Sequence, residues 1–244
     1  MLYYLLNQIK IQIKPDNINV KFFHKQNGVD LFTSKSLSLY LNKVKHQISQ
    51  YNNWDNIKKY TNPYEFIHTN IPHTNYSISK YKPISRAFFK IVEIYNAFDL
   101  LNSKNPIKTY HLAEGPGGFI EATAYLRKNK YDEYFGMTLI EKKNQNVPGW
   151  KKSENFLKKH KNVTIEYGFT KNGDLYHPDN FKYCFNKHRG QFDILTADGG
   201  FDFSNDFNNQ EDQAFRLIFT QTIYAIAMQK KGGSFNKNEL EKTI

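Results

Sequence analysis

The chain has 244 residues, of which 39% are hydrophobic, including 20 Phe and 17 Tyr. This content allows a sizeable core, so the composition excludes a globally disordered chain and predicts one large α/β domain with an extension. The net charge is +11, because 34 Lys and Arg outnumber 23 Asp and Glu. Such a charge predicts a polyanionic partner, most simply nucleic acid, although a solvated lysine-rich surface gives the same composition.

Cys184 is the single cysteine, which excludes intramolecular disulfides and cysteine-based zinc sites. No metal is expected. A lone cysteine is typical of a reducing compartment, so we expect an intracellular protein, in the cytoplasm or in a viral factory or virion, and not a secreted one. The longest apolar runs are far shorter than a membrane span, and we expect no membrane partner.

Residues 1–80 are expected to form a separate N-terminal region of strands, a helix and loop. Alternating apolar residues at Ile9–Ile13 predict a strand, which Val20–Phe23 could pair with. Apolar residues at helical spacing over Leu37–Ile48 predict a helix. Residues 51–79 are rich in Asn, Tyr and Pro without a sustained period, which predicts a loop.

Downstream of this region, short apolar runs alternate with amphipathic segments. This order predicts an α/β fold, a Rossmann-like doubly wound and mostly parallel sheet, over residues 81–235. A polar tail follows at 236–244. The predicted elements are a helix at 84–101, a strand at 109–112, a helix from about 119, strands at 134–139, 163–167 and 192–197, a short helix at 179–185, a long helix at 209–230 and a strand from 232.

A glycine-rich turn lies between the first of these strands and its helix. Glu114 closes the strand, and Gly115, Gly117 and Gly118 let backbone come close to a ligand. The new helix is expected to point free N–H groups at that ligand. The turn lacks both the Gly-Lys-Ser/Thr ending of a P-loop and the spacing of a dinucleotide fingerprint. Taken alone, it fits an S-adenosylmethionine (SAM) site and a tight turn without a ligand equally well.

Acidic residues at three strand ends add weight to the first interpretation. Glu114, Asp174 and Asp198 each fall at or just beyond the carboxyl end of a predicted strand. Ligands of doubly wound sheets gather outside those ends. We therefore expect the three carboxylates to belong to one site.

Seven short motifs occur in order between residues 85 and 235. In this order and spacing they resemble the FtsJ/RrmJ-type ribose 2′-O-methyltransferases, and most of all the eukaryotic and viral mRNA-cap branch, the Adrift-type domains. Residues 1–80 do not share the resemblance. The motifs are Ser-Arg-Ala-Phe-Phe-Lys at 85–90, Glu-Gly-Pro-Gly-Gly-Phe at 114–119, Gly-Met-Thr-Leu at 136–139, Gly-Asp-Leu at 173–175, Ala-Asp-Gly-Gly-Phe at 197–201, Asn-Asn-Gln-Glu at 208–211 and Gly-Gly-Ser-Phe at 232–235.

The resemblance implies SAM as cofactor, capped mRNA as substrate, and a role for each matched residue. It implies that Lys90 and Asp198 are the first two members of a Lys-Asp-Lys-Glu catalytic set. It places Asp174 beside the adenine. The residues implied to contact capped RNA are Asn208, Asn209 and Gln210. The residues implied to contact SAM are Ala113, Glu114, Gly115, Pro116, Gly117, Gly118, Phe119, Thr138, Asp174 and Leu175.

The chemistry explains why these residue types are needed. A ribose 2′-hydroxyl is a poor nucleophile until a general base within hydrogen-bond reach draws off its proton. A lysine acts as that base only when neutral, a state that a second cation and desolvation favour. An aspartate can orient the lysine and face a positively charged sulfur.

The resemblance changes after Phe235. The family continues as an apolar strand with the second catalytic lysine, whereas this chain continues with the polar run 236–240. By spacing the lysine position falls on Asn238, and Lys237 comes one residue early, which in a strand turns its side chain to the opposite face. The chain thus resembles a C-terminally truncated member whose last strands and catalytic glutamate are missing. A protein partner is expected to cover the exposed sheet edge.

Three functions follow from these observations. The first is a SAM-dependent RNA ribose 2′-O-methyltransferase that acts on the mRNA cap. The second is a catalytically impaired scaffold that acts as an RNA- or cap-binding subunit, because the second lysine is absent from its expected position. The third, a nicotinamide oxidoreductase, is disfavoured by the spacing of the glycines.

Overall fold

The structure, a computed structural model, describes residues 34–48, 50–53, 57, 60, 62–141, 147–200 and 210–237. Contacts divide the chain into two compact units, residues 1–65 and 66–244. The first unit contains helix α1 at Lys35–Ile48, where the spacing predicts one. The two strands predicted before it lie outside the described residues, and the division into functional regions stays a prediction.

The second unit is built on a five-stranded sheet. Its strand order is β3-β2-β1-β4-β5, and all four pairings are parallel. This arrangement confirms the predicted doubly wound α/β fold. The strands are β1 at Lys108–Leu112, β2 at Glu133–Met137, β3 at Val163–Glu166, β4 at Phe192–Ala197 and β5 at Gln229–Lys237.

In the described part of the second unit, five α-helices connect and cover these strands. None of the helices in the described ranges combines the length and the hydropathy that crossing a bilayer requires. The helices of the second unit are α2 at Ala87–Phe98, α3 at Gly118–Arg127, α4 at Glu154–Lys159, α5 at Pro178–His188 and α6 at Gln210–Met228. The sequence did not predict α4, whose six residues are too few to show a helical period.

The last strand differs from its prediction at both ends. It begins at Gln229, where the pattern predicts the end of a helix, and Gly232 lies inside it with a φ of 79°. It also continues through Asn236 and Lys237, two residues that the sequence assigns to the polar tail. Pairing with the buried strand β4 holds these polar residues in the sheet, since backbone hydrogen bonds do not depend on side-chain polarity.

The two faces of the sheet carry separate hydrophobic cores. Ile194 of β4 packs with α2 and α3, through residues such as Phe88 and Phe119. Its neighbours Leu195 and Ala197 pack in a second core that includes side chains of α5 and α6. This alternation follows from the two-residue period of a strand, and it fixes which strand residues face which helix layer.

A buried ion pair fastens the C-terminal end of α3. Arg127 Nε lies 2.8 Å from Asp132 Oδ2, with side-chain exposures of 7% and 0%. The same guanidinium donates hydrogen bonds to the backbone carbonyls of Leu101, Ser103 and Asn105. Asp132 also accepts from the backbone N–H of Ile107. The pair therefore joins the end of α3 to the segments that lead into β1 and β2.

We expect the Asp132→Asn variant to lose about 3 kcal/mol of unfolding free energy, because Arg127 would keep a buried charge without its counter-ion. The control is Glu133→Gln, which breaks the half-exposed pair with Lys108 and should cost less than about 1 kcal/mol. Urea unfolding of the three proteins measures both values. Equal losses in the two variants would contradict the buried-pair interpretation.

Candidate active site

The turns that follow β1, β2, β3 and β4 meet at one edge of the sheet. A Cβ atom on Gly115 would lie 2.9 Å from Thr138 Oγ1, after β2. A Cβ on Gly173, after β3, would contact the Thr138 carbonyl oxygen, and one on Gly199, after β4, would lie 2.8 Å from the Ala113 Cβ. Since β1 lies between β2 and β4, this edge is where the chain reverses its winding direction, the usual ligand crevice of such sheets.

The glycine-rich turn is held in an unusual backbone conformation. Ala113 has a φ of 53° and Gly117 a φ of 116°, and the Gly115–Pro116 peptide bond is cis. The Gly117 N–H donates to the Glu114 carbonyl at 2.7 Å. Glycine is needed at position 117, because side chains other than hydrogen disfavour that φ.

Glu114 has a different role from the one expected of a helix that faces a ligand. Its Oε1 accepts hydrogen bonds from the backbone N–H groups of Phe119, at 2.9 Å, and Ile120, at 3.0 Å. The expectation that the first turn of α3 offers these N–H groups to a ligand is wrong, because the carboxylate of Glu114 already binds them. The acid thus caps the helix that follows its own strand.

The glycines admit protein atoms where a ligand was expected. A Cβ on Gly117 would lie 2.9 Å from Ser153 Oγ and 3.6 Å from the Trp150 ring, and one on Gly118 would lie 3.2 Å from the Phe88 backbone nitrogen. The Ser153 hydroxyl also donates to the Pro116 carbonyl. Close packing against protein atoms therefore explains both glycines, and their contact with a cofactor stays a prediction. The two glycines allow residues 149–153 and the start of α2 to pack against the turn.

The pKa of Glu114 is raised to about 8 by its burial. Hydrogen bonds from Ile120 and Phe119 oppose the rise, and the negative charge of Asp198 adds to it. A cation bound near the turn would favour the ionised form of this carboxyl and lower its pKa.

Lys90 and Asp198 lie together, as the resemblance implies. Lys90 Nζ is 3.5 Å from Asp198 Oδ1, and the exposures of the two side chains are 32% and 15%. Helix α2 positions Lys90 at this edge because the neighbouring Ile91 is anchored in the core. Asp198 directly follows the last residue of β4. The structure thus brings the two predicted catalytic residues to the carboxyl edge of the sheet, beside the turn after β1.

The Asp174 carboxylate uses one of its two oxygens in a hydrogen bond within the protein. Its Oδ1 accepts the backbone N–H of Tyr176 at 2.9 Å, and its carbonyl accepts from Asn180 Nδ2 at 2.8 Å. Its Oδ2 has no hydrogen-bond partner in the described part of the chain. Leu175 beside it is 7% exposed and belongs to the same core cluster as Leu112, so its side chain offers little surface to a ligand.

The predicted RNA-contacting residues and Lys237 lie in the C-terminal part of the chain. Asn208 and Asn209 lie outside the described residues, and Gln210 is the first residue of α6. Lys237 pairs in register with Ala197, whose side chain faces the α5–α6 core. Paired residues of parallel strands share a face, so Lys237 lies on the side of the sheet opposite α2 and Lys90. This agrees with the opposite-face expectation from its spacing.

Gln221 is a buried polar residue at the crevice that the sequence reasoning did not single out. Its side chain is 0% exposed, and neither amide atom has a partner among the described residues. A Cβ on Gly199 would collide with its amide nitrogen. The available signal was an amide on the apolar face of a long helix, between Leu217 and Tyr224. A buried amide without partners is what a polar ligand group at this edge would complete.

Comparison with known proteins identifies the family. The profile described as FtsJ-like methyltransferase matches residues 83–243, more than half of the chain. The chain therefore belongs to the FtsJ-like methyltransferase family. The matched segment begins just before α2 and includes the whole sheet.

Several curated proteins are similar over part of the chain. A human cap-specific mRNA (nucleoside-2′-O-)-methyltransferase 1 is 31% identical over 130 residues, 50% of this chain and 15% of that protein. A Drosophila melanogaster cap-specific mRNA (nucleoside-2′-O-)-methyltransferase 2 is 25% identical over 162 residues, 62% and 23% of the two chains. An uncharacterized Acanthamoeba polyphaga mimivirus protein, L511, is 27% identical over 170 residues, 62% and 20%. The chain spans about a fifth of the length of these relatives.

One similar solved structure is described as a ribosomal RNA methyltransferase from Plasmodium falciparum. The match covers 62% of this chain and 75% of the chain in that structure. Its sequence identity is 15% and its TM-score is 0.41, too low to add weight.

The raised pKa of Glu114 predicts a pH-dependent stability. A carboxyl with a pKa near 8 in the folded chain keeps a proton that the unfolded chain, with a pKa near 4.5, has released. The contribution of Glu114 to the free energy of unfolding therefore falls as pH rises from about 4.5 to about 8. Buried His111, whose pKa is lowered to about 3, changes stability only below pH 6.5.

We expect the Glu114→Gln variant to gain stability relative to the parent protein between pH 6.5 and 8, by about 2 kcal/mol at 1.36 kcal/mol per pH unit. Chemical unfolding at several pH values measures the difference. The same pH slope for both proteins would contradict a protonated Glu114.

Proposed function

We propose that this chain is a SAM-dependent RNA ribose 2′-O-methyltransferase that acts on the 5′ cap structure of mRNA. The observation that carries the proposal is the Lys90–Asp198 pair, 3.5 Å apart, at the crevice beside the glycine-rich turn. The family membership of residues 83–243 supports methyl transfer, and the cap-specific relatives support the choice of substrate.

The residues of the crevice suit the chemistry of this reaction. SAM would supply a methyl group on a positively charged sulfur. Lys90 would contact the ribose 2′-oxygen, hold it in position and, when neutral, accept its proton as the oxygen–methyl bond forms. Asp198 would fix the direction of the Lys90 side chain through the observed ion pair.

The crevice also offers suitable groups for each part of SAM. Asp174 Oδ2 is an open acceptor for an adenine amino group. The unpartnered Gln221 amide offers both a donor and an acceptor next to Gly199, where a ligand's carboxylate or ammonium group would complete it. The carboxyls of Glu114 and Asp198 lie near enough to interact electrostatically and would favour a cationic ligand.

We expect the Lys90→Ala variant to lose at least about a hundredfold in kcat for methyl transfer, since a positioned base contributes 10²–10⁴-fold. Asp198→Asn should cost less, because it keeps the shape and removes only the charge that orients Lys90. The assay is transfer of labelled methyl from SAM to capped RNA, and the same RNA with a 2′-O-methyl group already present should accept none.

The matched control is Lys104→Ala, which removes an exposed lysine before β1. It should leave kcat within about twofold. Full activity of Lys90→Ala, with unchanged folding, would overturn the catalytic assignment.

A cap-binding subunit without turnover is the second candidate function. The observation that favours it is the register of β5, in which Lys237 faces away from Lys90. This candidate gives capped-RNA binding with no measurable transfer by the parent chain. The methyl-transfer assay therefore separates the two functions directly.

We expect the Asp174→Asn variant to bind SAM at least about tenfold more weakly, a loss of about 1.4 kcal/mol. Its Oδ1 can still accept the Tyr176 N–H, but the open oxygen becomes an NH₂ group that repels another donor. Asp179→Asn, at a half-exposed carboxylate on α5, is the control and should bind normally. Calorimetric titration with SAM, and with NAD as a non-cognate ligand, measures the effect. Tight NAD binding would contradict the cofactor assignment.

A further inference from the structure

A cavity of about 610 Å³ lies at the end of the second unit opposite the candidate active site. Its walls come from the C-terminal end of α3 and the residues that follow it, and from α4 and the residues that lead into β3. Six of its residues carry the argument: Tyr125, Lys128, Lys130, Lys159, His160 and Lys161.

The charge of this cavity is strongly positive. Its four lysines are all exposed, and none of them pairs with a carboxylate in the ranges that the structure describes. The one carboxylate of its wall is Glu121, which is 7% exposed. Glu121 already accepts hydrogen bonds from the Tyr81 hydroxyl and from the Ile84 N–H. The lysines are therefore available for a polyanion.

Ring faces accompany the lysines. The Tyr125 ring is 45% exposed, and Lys128 Nζ lies 5.6 Å from its centroid. Lys130 Nζ lies 5.0 Å from the centroid of Tyr131, a 68% exposed ring that is not part of the cavity wall. The His160 ring stacks on Phe156 with centroids 4.4 Å apart. Lysines attract phosphates and exposed rings stack on bases, so the combination fits single-stranded nucleic acid better than an acidic peptide, which needs charge alone.

The cavity is separated from the candidate active site by the length of α3. That helix starts at the glycine-rich turn and ends at Arg127, next to the cavity. Its 10 residues span about 15 Å at 1.5 Å per residue. A nucleotide in the cavity would therefore not occupy the place of the reacting nucleotide.

We propose that this cavity binds a single-stranded segment of the substrate RNA that lies away from the methylated nucleotide. The inference rests on the proposed function for the identity of the RNA. RNA bound in the cavity gains a second contact with the protein. This contact tightens the binding of long substrates and leaves the chemistry of bound RNA unchanged.

The test compares two triple variants of the full chain that lose the same charge. Lys130→Gln, Lys159→Gln and Lys161→Gln change the cavity. Lys104→Gln, Lys182→Gln and Lys231→Gln change exposed lysines elsewhere. Fluorescence anisotropy measures the Kd for capped RNA of 4 and of 20 nucleotides at several salt concentrations.

We expect the cavity variant to bind the 20-nucleotide RNA at least about tenfold more weakly, with a smaller salt slope by about 2 (three cations at 0.7 each). Its affinity for the 4-nucleotide RNA should change less than twofold, and the control variant should change less than twofold for both. In methyl transfer, the cavity variant should raise KM for the long RNA and leave kcat unchanged.

Equal losses in the two variants would overturn the inference, because they would show a general charge effect. Equally tight binding of polyglutamate to the cavity would overturn it as well. A chain that binds long RNA through the cavity but transfers no methyl group would support the inference and refute only the enzymatic function. Methyl transfer with an unchanged KM in the cavity variant would overturn the inference and support the enzymatic function.

Discussion

The organisation of the candidate active-site edge depends on one buried carboxyl group that caps a helix. Glu114 lies at the start of the turn after β1, and its Oε1 accepts hydrogen bonds from two N–H groups of the first turn of α3. This interaction ties the end of the strand to the start of the helix across the turn. Because the capping carboxyl is buried, its own ionisation is sensitive to the charges that surround it.

That sensitivity connects the glycine-rich turn to the Lys90–Asp198 pair. The charge of Asp198 raises the pKa of Glu114, and Asp198 in turn lies 3.5 Å from Lys90. Three elements that are distant in the sequence, namely α2, the turn after β1 and the end of β4, thus share one electrostatic environment. The parallel sheet produces this arrangement, because it gathers the carboxyl ends of its strands at a single edge.

Much of this arrangement could be predicted from the sequence. The alternation of apolar runs and amphipathic segments predicted the sheet, and the motif order predicted that Lys90 and Asp198 would meet. What could not be predicted was the partner of each polar group. An acid after a strand gives the same pattern whether it binds a ligand or caps a helix, and a glycine gives the same pattern whether ligand or protein packs against it.

Features that the fold assembles from distant short segments could not be predicted from the sequence either. Lys128–Lys130 and Lys159–Lys161 each look like solvated surface, and only the fold places them around one cavity. Residues 149–153 carry no periodic signal, yet Trp150 and Ser153 form the wall behind the glycine-rich turn. The buried Gln221 shows the same limit, because its neighbours along α6 are apolar core residues.

Helix α3 is fastened at both of its ends, by Glu114 at the first turn and by the Arg127–Asp132 pair at the last. A helix held in this way keeps a fixed distance between its two ends. Nothing within it can stretch or fold to bring its two ends closer together. A chain molecule that contacts both ends of α3 must therefore span about 15 Å between them.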